Sequence, residues 1–520
     1  MKKIITFCTL VLMLLGSNSF GQSLTTLSFN EVNAHLMDNG YFFTNCTTQG
    51  AGYEIPKGSN KFAIYSSAFW FGGRDVNSQL KIASPRYCNQ GNDLWPGPLD
   101  VNSGNAIVPN PFSQTFWTVS KQAIQTHIAN YQSPGYVVPN EISNWPAHGD
   151  ITLGAAFYIA PFVDVNNNGE YDPHLGDYPC IKGDMATYII MNDAKEVHAS
   201  GGGVMNVEIH FMFYQYATNT TLNNTTFVDI EVINRGTQTL FDYYTSYYID
   251  ADLGFSVDDY FGCDSSRNLM YTYNSDNFDQ DGLMSGYGTA PPAIGIVCLS
   301  QDVESVGTFS NGAIYPYNDP SNPVEFYNTM KGQWQDATFW QDNNGDNTHF
   351  MYSGDPNNSG EWSEYSVSNP PGDRRMIMNS RYGTLMPGDS YSISYAIVFG
   401  QGTDNLNSVT ELFQNTDVIQ DFYNQQTQNC FDPTTVGMNE LNVNEFEISP
   451  NPSSGNFNLV FPKEYAEVKI IVKDAFGRII LNEEKSGVNE LAIHLSGSKG
   501  VYFVTIITED GESTKKIILN

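Results

Sequence analysis

The chain has 520 residues and a formal net charge of −32, with 24 Lys and Arg against 56 Asp and Glu. That surplus of anions disfavours nucleic acid and anionic membranes as binding partners, because both are polyanions and repel such a surface. Aromatic residues make up 13% and charged residues only 15%, the reverse of a disordered composition, and the wealth of Tyr, Phe, Thr, Asn and Gly favours strands and long loops.

The N-terminus reads MKKIITFCTLVLMLLGSNSFGQ. Lys2 and Lys3 precede an apolar run from Ile4 to Leu15, and Ser19 and Gly21 stand at −3 and −1 of a cut before Gln22. This layout predicts a cleaved secretory signal over 1–21. The run falls short of the ~20 residues that a bilayer span needs, and no later segment is apolar enough to span. Export leaves six cysteines, Cys46, Cys88, Cys180, Cys263, Cys298 and Cys430, enough for up to three disulfides, with free buried thiols as the other outcome. The absence of a CxxC pair argues against a redox motif or a zinc ribbon.

The cargo, 22–435, is read as mainly β, a β-sandwich with a few short helices, in an N-terminal part (22–200) and a second part (201–435). KFAIYSSAFWFGG (61–73) predicts strands that stop at Gly72-Gly73, and VSKQAIQTHIANY (119–131) spaces Ile124, Ile128 and Tyr131 as a helix does. ITLGAAFYIAPFVDV (151–165) predicts a buried strand. MNVEIHFMFYQYA (205–217) and the alternating stretch 225–254 predict consecutive antiparallel strands, with Asn234-Arg235-Gly236 compatible with a hairpin. SYSISYAIVFGQG (390–402) predicts another strand, opened by a turn at Pro387-Gly388-Asp389. Leu406, Val409, Phe413, Ile419, Phe422 and Tyr423 then predict one or two helices before a linker over 436–446.

The most specific chemical signal is DVNNNGEYDPHLGDYP (164–179). Calcium takes six to eight hard oxygens, and loops supply them by alternating inward side chains with a glycine at the sharp turn. Counting Asp164 as position 1 puts Asn166 at 3, Asn168 at 5, Gly169 at 6, the Glu170 carbonyl at 7 and Asp172 at 9. Position 12 is Leu175, and Pro173 and Gly176 deny a following helix, so the pattern is not an EF-hand. A helix-free calcium loop is expected, with Asp177 or Asp184 completing the shell; the alternative is a set of Asx-turns in which these side chains cap backbone N–H groups. Weaker acidic groups are Asp250, Asp252, Asp258, Asp259 and Asp264, and the fragment Asp342, Asn344, Gly345, Asp346, for which solvated turns are the alternative.

No catalytic residue is assigned. The chain lacks GxSxG, HExxH, GxxxxGK[ST] and a GxGxxG after a strand, and its eight histidines are scattered, with His174, His198 and His210 read as structural or surface residues. Carboxylate pairs for glycoside hydrolysis are decided by their separation in space. Trp95, Trp117, Trp145, Trp334, Trp340 and Trp362 lie in loop-like contexts where they could stack on sugars, although most aromatics in such a chain are core.

From 447 to 520 the alternation of Val468, Ile470 and Val472, a turn at Asp474–Gly477, and a second alternation through Val501, Phe503, Thr505 and Ile507 predict a small β-sandwich. These residues closely resemble the type A sorting domain of the type IX secretion system of Bacteroidota. The likeness rests on Pro450-Asn451-Pro452, Gly455, Gly477 in its Asp-Ala-Phe-Gly-Arg turn, Gly500-Val501-Tyr502, and Lys515-Lys516. It implies export through the inner membrane, passage across the outer membrane guided by this domain, and release or attachment at the cell surface. LWPGPLD (94–100), WPAHGD (145–150), 161–184, 250–264, YGTAPPAIG (287–295) and PPGDRR (370–375) resemble segments of a group of large secreted proteins of the same phylum, a resemblance that implies secretion and carries no activity. The expected protein is therefore a secreted or surface module that is calcium-stabilised and acts by binding or adhesion. Its partners are then the secretion machinery and a surface polysaccharide or other glycan; the alternative is a secreted hydrolase acting on glycans.

Overall fold

The computed structural model describes residues 23–280, 286–426, 430, 446–474, 479–495, 499–508 and 511–519. The signal segment 1–21, the linker except Phe446, and Gly477 lie outside them. Two units form, 1–431 and 432–520. The fold is mainly β in both.

The first unit is a sandwich of two large antiparallel sheets. Seven long strands carry its sites: β1 (Ser66–Arg74), β2 (Met185–Asn192), β3 (Val207–Gln215), β4 (Thr226–Asn234), β5 (Leu240–Asp250), β6 (Arg374–Leu385) and β7 (Ser390–Gly400). β6, β5 and β1 neighbour one another in a ten-stranded sheet whose strands come from both 22–200 and 201–435. β2, β3, β4 and β7 neighbour one another in a nine-stranded sheet that continues through Ala293–Cys298, Leu269–Asn274 and Asp259–Asp264. Period-2 alternation sends Ile209, Phe211 and Phe213 of β3 and Ile393, Tyr395 and Ile397 of β7 into the space between the sheets. There they meet Phe42, Phe69 and Tyr247 of the other sheet. Phe69 stacks on Tyr247 at 4.0 Å and Phe42 tilts onto Phe213 at 4.7 Å.

The other face of the nine-stranded sheet is covered from two sides. Helix α2 (Asn405–Gln425), capped by the Asp404 carboxylate accepting from the Asn407 N–H at 2.8 Å, lays Val409, Leu412 and Ile419 over Leu269, Tyr271, Val297 and Val398. Helix α1 (Lys121–Asn130) and the segment 145–181 cover Tyr188 and Ile190. The predicted helix over 119–131 thus forms, after a short strand at Trp117–Ser120.

Two expectations are corrected, and the cysteines divide between the two outcomes open to them. The turn at Asn234–Gly236 makes no hairpin, since β4 belongs to the nine-stranded sheet and β5 to the ten-stranded one. Five residues separate the strands, enough for the chain to cross the sandwich edge instead of reversing within one layer. The run 151–165 is not a buried strand. Ile151–Leu153 is a 3-10 turn with Ile151 exposed, and pairing is confined to a single bridge from Tyr158 to His148 and to Phe162–Val163 with Tyr178–Pro179. Gly154 at φ 90° and Pro161 break the extension, so Ala155, Ile159 and Ala160 bury singly against Trp145 and Tyr188. Of the six cysteines, Cys46–Cys88 and Cys180–Cys430 form disulfides, whereas Cys263 and Cys298 are buried thiols on sheet strands.

The second unit is a five-stranded antiparallel arrangement around its own core of Phe457, Leu459, Tyr465, Ile470, Val504 and Ile517. Its long strand Asn456–Asp474 pairs along one edge with Glu447–Ser449 over its first part and with Gly500–Thr508 over its last, and with Ile479–His494 along the other.

Candidate functional site

Between the two coverings of the nine-stranded sheet lies a groove of about 1010 Å³. Register builds its floor. Tyr188, Met212, Asp229 and Ser394 stand opposite one another on β2, β3, β4 and β7, as do Ile190, His210, Glu231 and Ser392 in the next outward row and Asn192, Glu208, Ile233 and Ser390 in the one after. The walls are Tyr158–Phe162 with Asp164 and Gly169 on one side and Tyr423 on the other, with both members of the Cys180–Cys430 disulfide lining the groove.

Beneath the floor, outside the lining itself, the charges gather around Glu208. This carboxylate is fully buried and accepts from the Leu99 N–H at 2.8 Å, from Arg235 Nη2 at 2.8 Å and from His210 Nε2 at 3.0 Å. Burial alone would raise its pKa, but the hydrogen bond and charge of His210, with Arg235, bring it down to about 2. Because Nε2 donates to Glu208, Nδ1 of His210 faces Glu231 Oε2 at 3.8 Å and has no hydrogen-bond partner. Lys182 Nζ pairs with Asp229 at 2.7 Å. Glu231 is the floor carboxylate with its side chain most open to solvent. His198 is buried against backbone carbonyls of Asp193 and Ile82, a structural role, whereas His210 belongs to the groove.

The calcium-like loop forms part of the wall. Asp164 accepts the Asn168 and Gly169 N–H groups through separate oxygens, at 3.2 and 2.7 Å. Asn166 accepts from the Asn168 N–H at 3.0 Å, and Asn168 from the Glu170 N–H at 2.8 Å. Asp177 bridges the loop, accepting from Val165 and Asp172 N–H groups at 2.9 and 2.8 Å, and Asn168 Nδ2 donates to Asp172 at 3.4 Å. The Glu170 side chain points toward His148, 3.9 Å away, whose Nε2 accepts the Tyr171 N–H. Asp184 stands apart, beside Lys121 at 3.6 Å. Asn167 at φ 57° and Gly169 at φ 82° make the sharp reversal. The oxygens of Asp164, Asn166, Asn168 and Asp177 therefore cap backbone donors, and each keeps a second lone-pair direction.

A second concentration of charge lies on the outer face of the other sheet. Arg375, Asp250 and Ser66 stand opposite one another on β6, β5 and β1. Asp250, Asp252 and Asp373 bring carboxylate oxygens within 4.8 Å of one another, the one such His/Cys/Asp/Glu group among the described residues. Arg375 Nη1 lies 2.9 Å from Asp250 Oδ1 and also contacts Asp373. The five-aspartate cluster of 250–264 thus divides. Asp250 and Asp252 join Asp373, Asp259 turns inward to cap the Leu253 N–H, Asp258 faces the Gln280 N–H, and Asp264 pairs with Arg267. Asp373 and Arg375 were visible in the sequence only as part of PPGDRR, since nothing local announces a partner more than 120 residues away. The Asp342 fragment is an exposed turn in which Asp342 accepts from Asn344 and Asp346 N–H groups. Trp95, Trp117, Trp145 and Trp340 are buried, and Trp334 and Trp362 pack on the core, so none of the six forms an open stacking platform.

In the second unit, Asn451 of the Pro450-Asn451-Pro452 run clasps the last strand, donating to the Lys516 carbonyl at 2.8 Å and accepting from the Ile518 N–H at 3.0 Å. Gly455, at φ 109°, passes the Leu495 carbonyl where a Cβ would come within 2.8 Å. Tyr502 is buried in the core, Lys516 is exposed, Lys515 sits 5.7 Å from the Phe446 ring, and Gly500 opens the strand that carries Tyr502.

Residues 447–520 match the family described as secretion system C-terminal sorting domain. That match defines the class of the protein as a cargo of type IX secretion, exported to the cell surface or the extracellular space. No helix among the described residues is long and apolar enough to cross a membrane. No curated protein matches the chain. Among solved structures, the chain is similar to a polysaccharide lyase at 8% identity and TM-score 0.19, over 60% of this chain and 34% of the lyase, so it spans about a third of that enzyme. It is also similar to a putative aldose 1-epimerase from Escherichia coli K12, at 12% identity and TM-score 0.24, over 74% of this chain and 100% of that one. A biofilm-associated protein BSP domain follows at 10% identity and TM-score 0.14, over 64% and 59%. At these scores the likenesses carry no argument about activity.

Proposed function

We propose that the cargo is a calcium-stabilised binding module that takes an extracellular or surface glycan in the groove over β2, β3, β4 and β7. The observation that supports this reading is the floor itself. From its cross-strand rows, Asp229, Glu231, His210, Ser390, Ser392 and Ser394 present carboxylates, an imidazole and hydroxyls beside Tyr158, Tyr188 and Tyr423, in a cavity at the upper end of the range for ligand pockets, ~300–1,000 Å³. A neutral polyhydroxylated chain can donate to Glu231 and accept from Ser392 without stripping the Lys182–Asp229 and Arg235–Glu208 pairs. Calcium at Asp164, Asn166, Asn168, Glu170, Asp172 and Asp177 would hold the wall loop in place by replacing repulsion among its carboxylates with coordination. Weak extracellular sites of Kd ~10⁻⁴–10⁻³ M suffice for that role.

One observation favours the hydrolase alternative. Asp229 and Glu231 lie two residues apart on one face of β4, a spacing of roughly 6–7 Å, near the separations used by glycosidases. Lys182 holds Asp229 as an ion pair, which leaves Glu231 without a second available carboxyl and favours binding over cleavage.

The test is a glycan array probed with the secreted protein in millimolar calcium, followed by affinity measurement on any hit. Binding that falls at least ten-fold in Glu231→Ala is the expected result. An array without hits, or hits indifferent to Glu231→Ala, would overturn the reading, and release of new reducing ends from a bound glycan would establish the hydrolase instead.

A further inference from the structure

The wall of the groove carries an aromatic ring that is exposed and yet fixed. Tyr158 lines the groove and is 61% exposed. Its backbone is held on both sides. A bridge joins it to His148, the Ile159 N–H donates to the Ala147 carbonyl at 3.0 Å, and the Ile159 carbonyl accepts from the floor hydroxyl of Tyr188 at 3.2 Å. The side chain is pinned at its tip, where the hydroxyl donates to the Gly169 carbonyl at 3.2 Å. Phe157 meets the ring edge-on at 4.9 Å, and Phe162 lies closer to parallel with it at 6.3 Å. A surface tyrosine ordinarily exchanges among its rotamers. This one is held at both ends without being buried.

The hold on the ring leads to the calcium-like loop. Gly169 is the residue whose N–H donates to the Asp164 carboxylate at 2.7 Å, and a Cβ there would come within 3.2 Å of the Tyr158 hydroxyl. His148 makes the second tie, its Nδ1 donating to the Phe157 carbonyl at 3.2 Å and its Nε2 accepting from the Tyr171 N–H at 2.9 Å. The position of the ring thus follows that of the loop carrying Asp164, Asn166 and Asn168. The ring offers the groove an apolar surface whose polar tip is already bonded, while the floor offers Glu231 and Ser392. A wholly apolar occupant would strand the floor carboxylates, and a small ion would leave the ring uncovered. A sugar ring divides as the groove does, with C–H bonds on its faces and hydroxyls around its rim.

We infer that Tyr158 is the stacking residue of the groove, taking the C–H face of one pyranose unit, and that it couples the loop to the glycan, so that calcium and glycan each raise the affinity for the other. This coupling rests on the glycan and calcium reading of the groove and adds the residue that joins the two. Coordination in the loop would fix the Gly169 carbonyl and through it the Tyr158 hydroxyl. A ring fixed in advance costs less ordering when the sugar arrives.

Calorimetric titration of the full secreted chain with cello-, laminari-, manno-, malto- and xylo-oligosaccharides, in millimolar calcium and in EDTA, tests this. At least one is expected to bind, several-fold more weakly in EDTA. Tyr158→Ala should lose about ten-fold or more of the affinity in calcium. Tyr158→Phe keeps the ring and drops the hydroxyl, so it should keep most of the EDTA affinity and gain nothing from calcium. Both variants alter an exposed side chain, and an unchanged melting curve in EDTA shows that each is folded. Absence of binding across the panel, full affinity in Tyr158→Ala, or a calcium response in Tyr158→Phe equal to the parent's overturns the inference. So does a parent affinity that is the same in calcium and EDTA; if calcium still moves the cargo's melting transition, the calcium loop itself stands. Affinity that survives Tyr158→Ala but is lost in Glu231→Ala strikes Tyr158 alone, and the converse strikes the floor contact while leaving Tyr158 in place.

Discussion

Asp252 sits two residues beyond Asp250 in a left-handed backbone conformation, φ 42°. Burial, and then the neighbouring Asp373 carboxylate, push its carboxyl up to about 6. A carboxyl raised in the folded state binds its proton more tightly there than in the unfolded chain. Its stabilising contribution is therefore complete below the ordinary value of 3.8 and is lost as pH rises through about 6. Asp252→Asn removes the charge while keeping a group that can hydrogen-bond. The variant should melt higher than the parent at pH 7.5, by at most about 3 kcal/mol of stability, and should match it at pH 4. Thermal scans at the two pH values check this, and a variant that melts lower at pH 7.5 would show that the Asp252 charge is held by a cation instead. The aspartates at 250 and 252 were legible in the sequence as an acidic cluster. Their actual companions, Asp373 and Arg375, were not, because pairing of β5 with β6 is a long-range choice that no local pattern encodes.

The elements were read unevenly, and the unevenness has a physical cause. Strands whose alternation continues for nine or more residues, such as β3 and β7, stand where the alternation puts them, and α2 forms because its apolar residues recur at helical spacing. The 151–165 run misled because composition alone cannot distinguish a strand from a loop that buries its residues one at a time. The β4–β5 connection misled because turn chemistry shows that a chain reverses and not which layer it enters. Asn234 is the residue that manages this crossing. Fully buried, it donates from Nδ2 to the carbonyls of Gln238 and Leu385, both at 3.0 Å, and accepts from the Gly236 N–H at 2.9 Å. Its backbone N–H and carbonyl join residues 388 and 389 of the second crossing, between β6 and β7. One side chain thus ties both passages between the sheets. Asn234→Ala should cost about 2–4 kcal/mol, since two carbonyls and an amide lose their partner together. Urea denaturation followed by tyrosine and tryptophan fluorescence measures it, and a loss below about 0.5 kcal/mol would mean that water takes the place of the amide.

At the scale of the whole molecule, the two units separate address from cargo, and each has its own core. The sorting domain was recognisable in the sequence because the motifs that carry its likeness are local, whereas the cargo's sites are assembled from rows across strands distant in sequence. This separation also makes the calcium reading testable inside one chain. A ligand that binds only the folded cargo stabilises it by RT ln(1 + [L]/Kd), about 1.4 kcal/mol at a ten-fold excess over Kd, and leaves the other unit untouched. Calorimetry of the full chain in 5 mM calcium and in EDTA should therefore move the cargo transition by a few degrees and leave the transition of 447–520 in place. Asp164→Asn should abolish the shift, because Asp164 supplies two oxygens at the tightest part of the loop. Superimposable scans in calcium and EDTA would leave the Asx-turn hydrogen bonds as the whole account of that loop. A shift that survives Asp164→Asn but disappears in Asp252→Asn would move the cation to the carboxylates of Asp250, Asp252 and Asp373 beside Arg375.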